Sequence, residues 1–201
     1  SHPHDPYVTP KRYWDRYVNS EIDLPTTPFI PVDERDAYSA WTYRHYDRGE
    51  YDIQEADIRN ARHAYYGNVS YVDDLLGQIL DTLDRIGERD NTIIALCADH
   101  GDMLGERGQW YKMAPFENSS RIPLIINLPG QKQSSRIKEN VSLVDLLPTL
   151  LDLGTHGEAL SNQLSIESIQ GKSLRALLEN NSTDWHDIAI SEMMFEGLTE
   201  P

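Results

Sequence analysis

From Ile58 onward, apolar residues recur at steps of three and four: Ile58, Ala61, Tyr65, Val69, Val72, Leu76, Ile79, Leu83 and Ile86. At 3.6 residues per turn such spacing collects them on one side of an α-helix. The pattern predicts an amphipathic helix that begins near Asp57 and ends at Gly87, a residue suited to the left-handed turn that stops a helix. At 1.5 Å per residue it would run roughly 43 Å, so a bend at Gly67 or Gly77 is expected, with the apolar side lying across a sheet.

The rhythm then changes. Thr92–Ala98 and Ile122–Leu128 are short, nearly continuous apolar runs and read as strands, with a helical turn around Pro115–Ser119 before the second and a Pro129-Gly130 turn after it. A polar excursion over 131–140 precedes a helical pattern at Val141–Leu153, which carries Pro148 and stops at Gly154. A last helix near Ser173–Glu179 and a strand near Ile188–Ser191 complete the series. Helices alternating with buried strands predict an α/β fold with parallel packing. Residues 1–50, rich in Pro, Tyr, Asp and Arg without a period, read as irregular chain lying over the surface.

Composition narrows the functional classes. The chain has 201 residues, 39% of them hydrophobic, with 33 acidic against 18 basic residues and a formal charge of −15. Phosphate backbones and anionic bilayers call for a basic stripe, and none is visible, so neither nucleic acid nor membrane is an expected partner. No apolar run approaches the roughly 18 residues of a membrane helix. The lone cysteine, Cys97, sits in an apolar strand and reads as a small buried hydrophobe. Asn-x-Ser/Thr patterns at Asn68, Asn118, Asn140, Asn180 and Asn181 do not decide a compartment. The chain opens at Ser1-His2-Pro3-His4 without an initiator Met, which reads as an entry in mid-architecture.

The first predicted strand ends in Asp99-His100-Gly101-Asp102. Ligands of open α/β sheets gather where strands end and loops emerge. A carboxylate followed by an imidazole can ligate a divalent cation there, and Gly101 lets the backbone turn while both side chains keep one aim. On residue types alone a cap or turn is the commoner reading. Asp102 is open between orienting His100 and serving as a solvated loop carboxylate or a helix N-cap, and Trp110 and Tyr111 between packing and walling a pocket for a quaternary ammonium. Arg107 reads as a surface partner for Glu106 or another acid, and Glu117 with Arg121 as a structural ion pair.

The register Asp99-His100-Gly101, Leu104-Gly105-Glu106, Gly108, Trp110-Tyr111-Lys112, Glu117 and Arg121-Ile122-Pro123 resembles the sulfatase family of the alkaline-phosphatase superfamily. So do Tyr66–Asp73 and Asp145–Leu150, while His2-Pro3-His4-Asp5-Pro6-Tyr7 resembles the choline-sulfatase-like branch. The resemblance implies an alkaline-phosphatase/sulfatase-like α/β fold, part of a mainly parallel sheet flanked by helices. Residues 1–154 would be the C-terminal part of the catalytic domain, and 155–201 its continuation toward a smaller region.

It further implies a sulfuric ester hydrolase acting on a small-molecule sulfate ester, with a homo-oligomer as a further expectation. Asp99 and His100 match half of the family's ligand set for one divalent cation, with calcium expected and manganese the alternative that an imidazole ligand favours. Lys112 matches the lysine that holds a sulfate oxygen. His4, with His2 as fallback, matches the histidine near the leaving-group oxygen. The family's formylglycine arises within Cys/Ser-x-Pro-x-Arg, and neither that signature nor the N-terminal acid pair occurs here. Both are expected in a preceding half of the same protein, without which this piece would be inactive. A phosphonate or phosphodiester hydrolase of the same superfamily and a non-catalytic binding remnant are the alternative readings.

Overall fold

The computed structural model describes residues 2–45, 51–112, 114–131, 134–157, 169–179 and 185–192. The sequons at Asn180 and Asn181, and most of 155–201, lie outside them. The chain divides into two compact units, one formed chiefly by 1–92 and 96–125 and the other chiefly by 126–192.

In the first unit, α1 (Lys11–Trp14) leads into a 3₁₀ turn at Asp15–Tyr17, and α2 (Ala37–His45) follows. The long helix α3 (Glu55–Ile86) runs without interruption through Gly67 and Gly77. Asp57 belongs to its first turn and reaches back to accept the Gln54 amide at 2.9 Å. Gly87 stops it at φ 76°, with its own amide on the Asp84 carbonyl and the next on Leu83, so orphan carbonyls of the last turn are satisfied.

Residues 2–45 are more regular than their composition suggests. Tyr13 is fully buried, and α1 with its following turn packs on α3. Trp14 stacks on His63 at 3.6 Å between ring centroids, and the Tyr17 hydroxyl meets Ser70 at 2.6 Å. Much of the cover α3 needs therefore comes from aromatic side chains of α1 and the adjacent turn, which carry no periodic signal of their own.

Strands β1 (Ile94–Cys97) and β2 (Leu124–Asn127) are hydrogen-bonded neighbours in a two-stranded sheet, with the short helix α4 (Glu117–Ser120) between them in sequence. Cys97 is half-buried.

In the second unit, α5 (Leu146–Gly154) and α6 (Arg175–Leu178) pack together around buried Leu174 and Leu177. The stretch Asp145–Leu150 organises this unit. The Asp145 carboxylate, 1% exposed, accepts the Ser142 and Lys172 amides at 2.9 and 2.8 Å. Thr149 donates to the Asp145 carbonyl at 2.5 Å and accepts the Leu174 amide at 2.9 Å. Residues 188–191 form no strand among the described residues, and Ile190 is 81% exposed. An alternating pattern needs a neighbouring strand to pair with, and none adjoins it there.

Candidate active site

The site is built where β1 ends. Asp99 and His100 follow the strand directly, and the loop then turns through Gly101, whose amide donates to the Ser119 carbonyl at 2.7 Å. A β-carbon at 101 would fall on the carbonyl oxygen of Asn118, so only glycine allows this approach. The loop closes on itself through Met103 N to Tyr111 O at 2.7 Å and Gly105 N to Gln109 O at 2.8 Å. A buried ion pair anchors it from below. Arg62 of α3 meets Glu106 at 3.1 Å and donates to the Leu104 carbonyl at 3.0 Å, and Glu106 also accepts the Thr26 and Thr27 amides. The anchored loop delivers Lys112, whose carbonyl is held by the Ser119 hydroxyl at 2.7 Å.

Lys112 Nζ lies 2.9 Å from His4 Nε2. The other ring nitrogen of His4 faces two acceptors, the Asp5 carbonyl and carboxylate, each at 2.9 Å. Nδ1 therefore carries the hydrogen, and Nε2 presents its lone pair to the ammonium. The His4 and His100 rings are 6.4 Å apart between centroids, so Lys112, His4 and His100 come together in one place.

His100 Nδ1 faces the Gly101 carbonyl at 2.8 Å, which places its hydrogen there and leaves Nε2 as the electron-pair donor. That nitrogen stands 3.6 Å from Asp99 Oδ2, on a carboxylate 86% exposed. Two electron-rich atoms facing each other across such a gap suit a shared cation, and the nitrogen and oxygen donors fit a divalent ion. Among the described residues no group of three or more His, Cys, Asp or Glu side chains is placed to hold a metal.

Behind the pair lies Asp102, which neither caps a helix nor touches His100. Its carboxylate accepts the Tyr7 hydroxyl at 3.1 and 2.9 Å, the Leu104 amide at 3.0 Å and the Tyr111 amide at 3.1 Å. Burial raises its pKa above the usual carboxylate range against the pull of those donors, and burial together with Asp102 raises that of the Tyr7 phenol. Tyr7 was not singled out from the sequence. It closes the motif His2–Tyr7, but its partner stands 95 residues away.

The remaining candidates sort plainly. His2 packs edge-on against Tyr71 at 5.1 Å, and it is His4 that meets the ammonium. Arg107 is half-buried with its guanidinium 4.4 Å over the Phe116 ring, because Glu106 is already committed to Arg62. Glu117 and Arg121 pair at 3.4 Å, both exposed. Tyr111 stacks on Tyr7, while Trp110 lines a cavity of about 220 Å³ with Phe29, Tyr43, Tyr51 and Asp52.

The sulfatase family model matches residues 1–156. A choline-sulfatase of Rhizobium meliloti is 44% identical over 153 residues, 76% of this chain and 30% of that protein. An arylsulfatase of Clostridium perfringens is 31% identical over 198 residues, 96% of this chain and 39% of that protein. Among solved structures, a phosphonate monoester hydrolase from Silicibacter pomeroyi superposes with a TM-score of 0.77 at 29% identity, covering 92% of this chain and 37% of that one. The chain thus spans about a third of the length of these relatives.

Proposed function

The chain belongs to the sulfatase family, and from that premise we propose that the whole protein hydrolyses a sulfate monoester at the site containing Lys112, His4, Asp99 and His100. The observation that carries this reading is the ammonium of Lys112 on His4 Nε2, beside the Asp99-His100 pair. Residues 1–154 are read as the later part of the catalytic domain. The formylglycine nucleophile of the family is assigned to the rest of the protein.

A sulfate monoester concentrates negative charge on its non-bridging oxygens, and cleavage moves more of it to the bridging oxygen. The Lys112 ammonium, a compact point charge, binds and orients the non-bridging oxygens. His4, held by Asp5 through Nδ1, accepts at Nε2 from the Lys112 ammonium in the free protein; protonated at Nε2, the imidazolium gives that proton to the departing alkoxide and returns to the neutral ring, while Lys112 keeps its charge on the ester oxygens. Asp99 and His100 would hold the divalent cation, read as calcium with manganese the alternative. When bound, it supplies positive charge that polarises the ester oxygens.

Choline sulfate is the first substrate to test, because of the named relative. The likeness to a phosphonate monoester hydrolase, together with an imidazole in the ligand pair, supports a second reading as a phosphonate or phosphodiester hydrolase. Steady-state kinetics of the complete protein on choline sulfate, an aryl sulfate and a phosphonate monoester separate the two. A higher kcat/KM for a sulfate supports the first reading, and a higher value for the phosphonate replaces it with the second.

A further inference from the structure

We propose that Asp102 and Tyr7 are positioning residues that set the distance between His4 and Lys112, and through it the proton supply to the leaving group. The inference rests on the reading of His4 and Lys112 given above and deepens it. The two active groups come from segments far apart in sequence, and the hydrogen bond between their own tips is exposed to solvent. An exposed bond between a long lysine and a surface imidazole holds geometry poorly, because rotamer entropy and water compete with it.

Asp102 supplies the missing constraint. It stands two residues beyond His100. Through Oδ1 it fixes the amide of Tyr111, the residue immediately before Lys112. Through both oxygens it receives the hydroxyl of Tyr7, three residues after His4. One half-buried carboxylate thus joins the segment carrying the imidazole, the loop carrying the ammonium and the turn carrying the cation ligands. Tyr111 is held at φ 63°, a backbone angle uncommon for a residue with a side chain, so its amide needs a fixed partner to keep that direction. The Tyr7 ring is further gripped by Tyr65, Trp110 and Tyr111, with centroids 6.3 to 6.4 Å away. Neither Asp102 nor Tyr7 has to touch the ester for this role.

The test uses the complete protein with Tyr7→Phe, Asp102→Ala and Asp102→Asn, assayed on an alkyl sulfate and on 4-nitrophenyl sulfate. Nitrophenolate leaves without a proton and an alkoxide does not. Loosening His4 should therefore lower kcat for the alkyl ester about tenfold or more, with a smaller loss on the aryl ester. Tyr7→Phe removes one oxygen and keeps the ring packing, so folding is not at stake. Asp102→Asn keeps an oxygen for both amides and should recover most of what Asp102→Ala loses, and the losses of Tyr7→Phe and Asp102→Ala should not add.

A crystal structure of the Tyr7→Phe protein gives a readout independent of turnover: His4 Nε2 should move out of hydrogen-bond reach of Lys112 Nζ. Either an unchanged separation or equal losses on the two esters overturns the proposal. If the parent protein cleaves neither sulfate ester, the sulfatase reading fails, and the crystallographic separation alone decides the positioning role.

Discussion

Lys112 and His4 are 108 residues apart in the chain, and their side-chain nitrogens are 2.9 Å apart in the fold. The donor is the ammonium, because the imidazole hydrogen is already given to Asp5 through Nδ1. A cation and an imidazole nitrogen are thus brought together before any ligand arrives, so their relative placement is preorganised.

Lys112→Ala in the complete protein should cut sulfate-ester turnover by a factor of about 100 to 1,000, the usual scale for losing one preorganised donor to transition-state charge. The fold should be intact, since the hydrogen bond lost is solvent-exposed. Kinetics together with a thermal melt check this, and near-parental rates would remove Lys112 from the mechanism.

Asp99→Asn should lower the divalent-cation content of the purified complete protein, because an amide oxygen carries no charge to oppose the ion. The exposed side chain has little packing to lose. Metal analysis of mutant and parent side by side decides it, and equal occupancy would exclude Asp99 as a ligand.

Gly101→Ala should destabilise the loop by about 1–3 kcal/mol, the usual cost of forcing a methyl into closed space. Here the obstacle is the Asn118 carbonyl, backbone that cannot rotate away. Urea unfolding measures the loss, and wild-type stability would show that the 99–101 turn relaxes more readily than its contacts indicate.

Glu106→Gln should cost about 3 kcal/mol, because it leaves the Arg62 guanidinium, 7% exposed, without the charge that compensates its burial. Asp23 stays within 2.5 Å of the same guanidinium and tempers the loss. Chemical denaturation of the variant, set against one in which Arg62 and Glu106 are both replaced by apolar residues, separates unpaired charge from lost packing. The double replacement is expected to lose less.

The elements with strong local rhythm were legible from residues alone. The apolar steps of α3, its Gly87 stop and the two short apolar runs each depend on neighbours within a turn or a strand, so their type and approximate extent follow from local sequence. The roles expected of Asp99, His100 and Lys112 came instead from the family resemblance that the register from Asp99 to Pro123 carries. The segment 1–50 was not legible, because Tyr13, Trp14 and Tyr17 become ordered only against α3.

What the sequence by itself determined is a helix-and-strand chain, encoded in short-range spacing, and a likeness to the sulfatase family, carried by the register that sets Asp99, His100 and Lys112 on one loop. Only the tertiary structure decided that His4 rather than His2 meets the ammonium, that Glu106 serves Arg62 rather than Arg107, and that Tyr7 and Asp102 tie the parts together. Those choices depend on contacts between segments tens of residues apart, where burial and hydrogen-bond geometry select among partners that look equivalent along the chain.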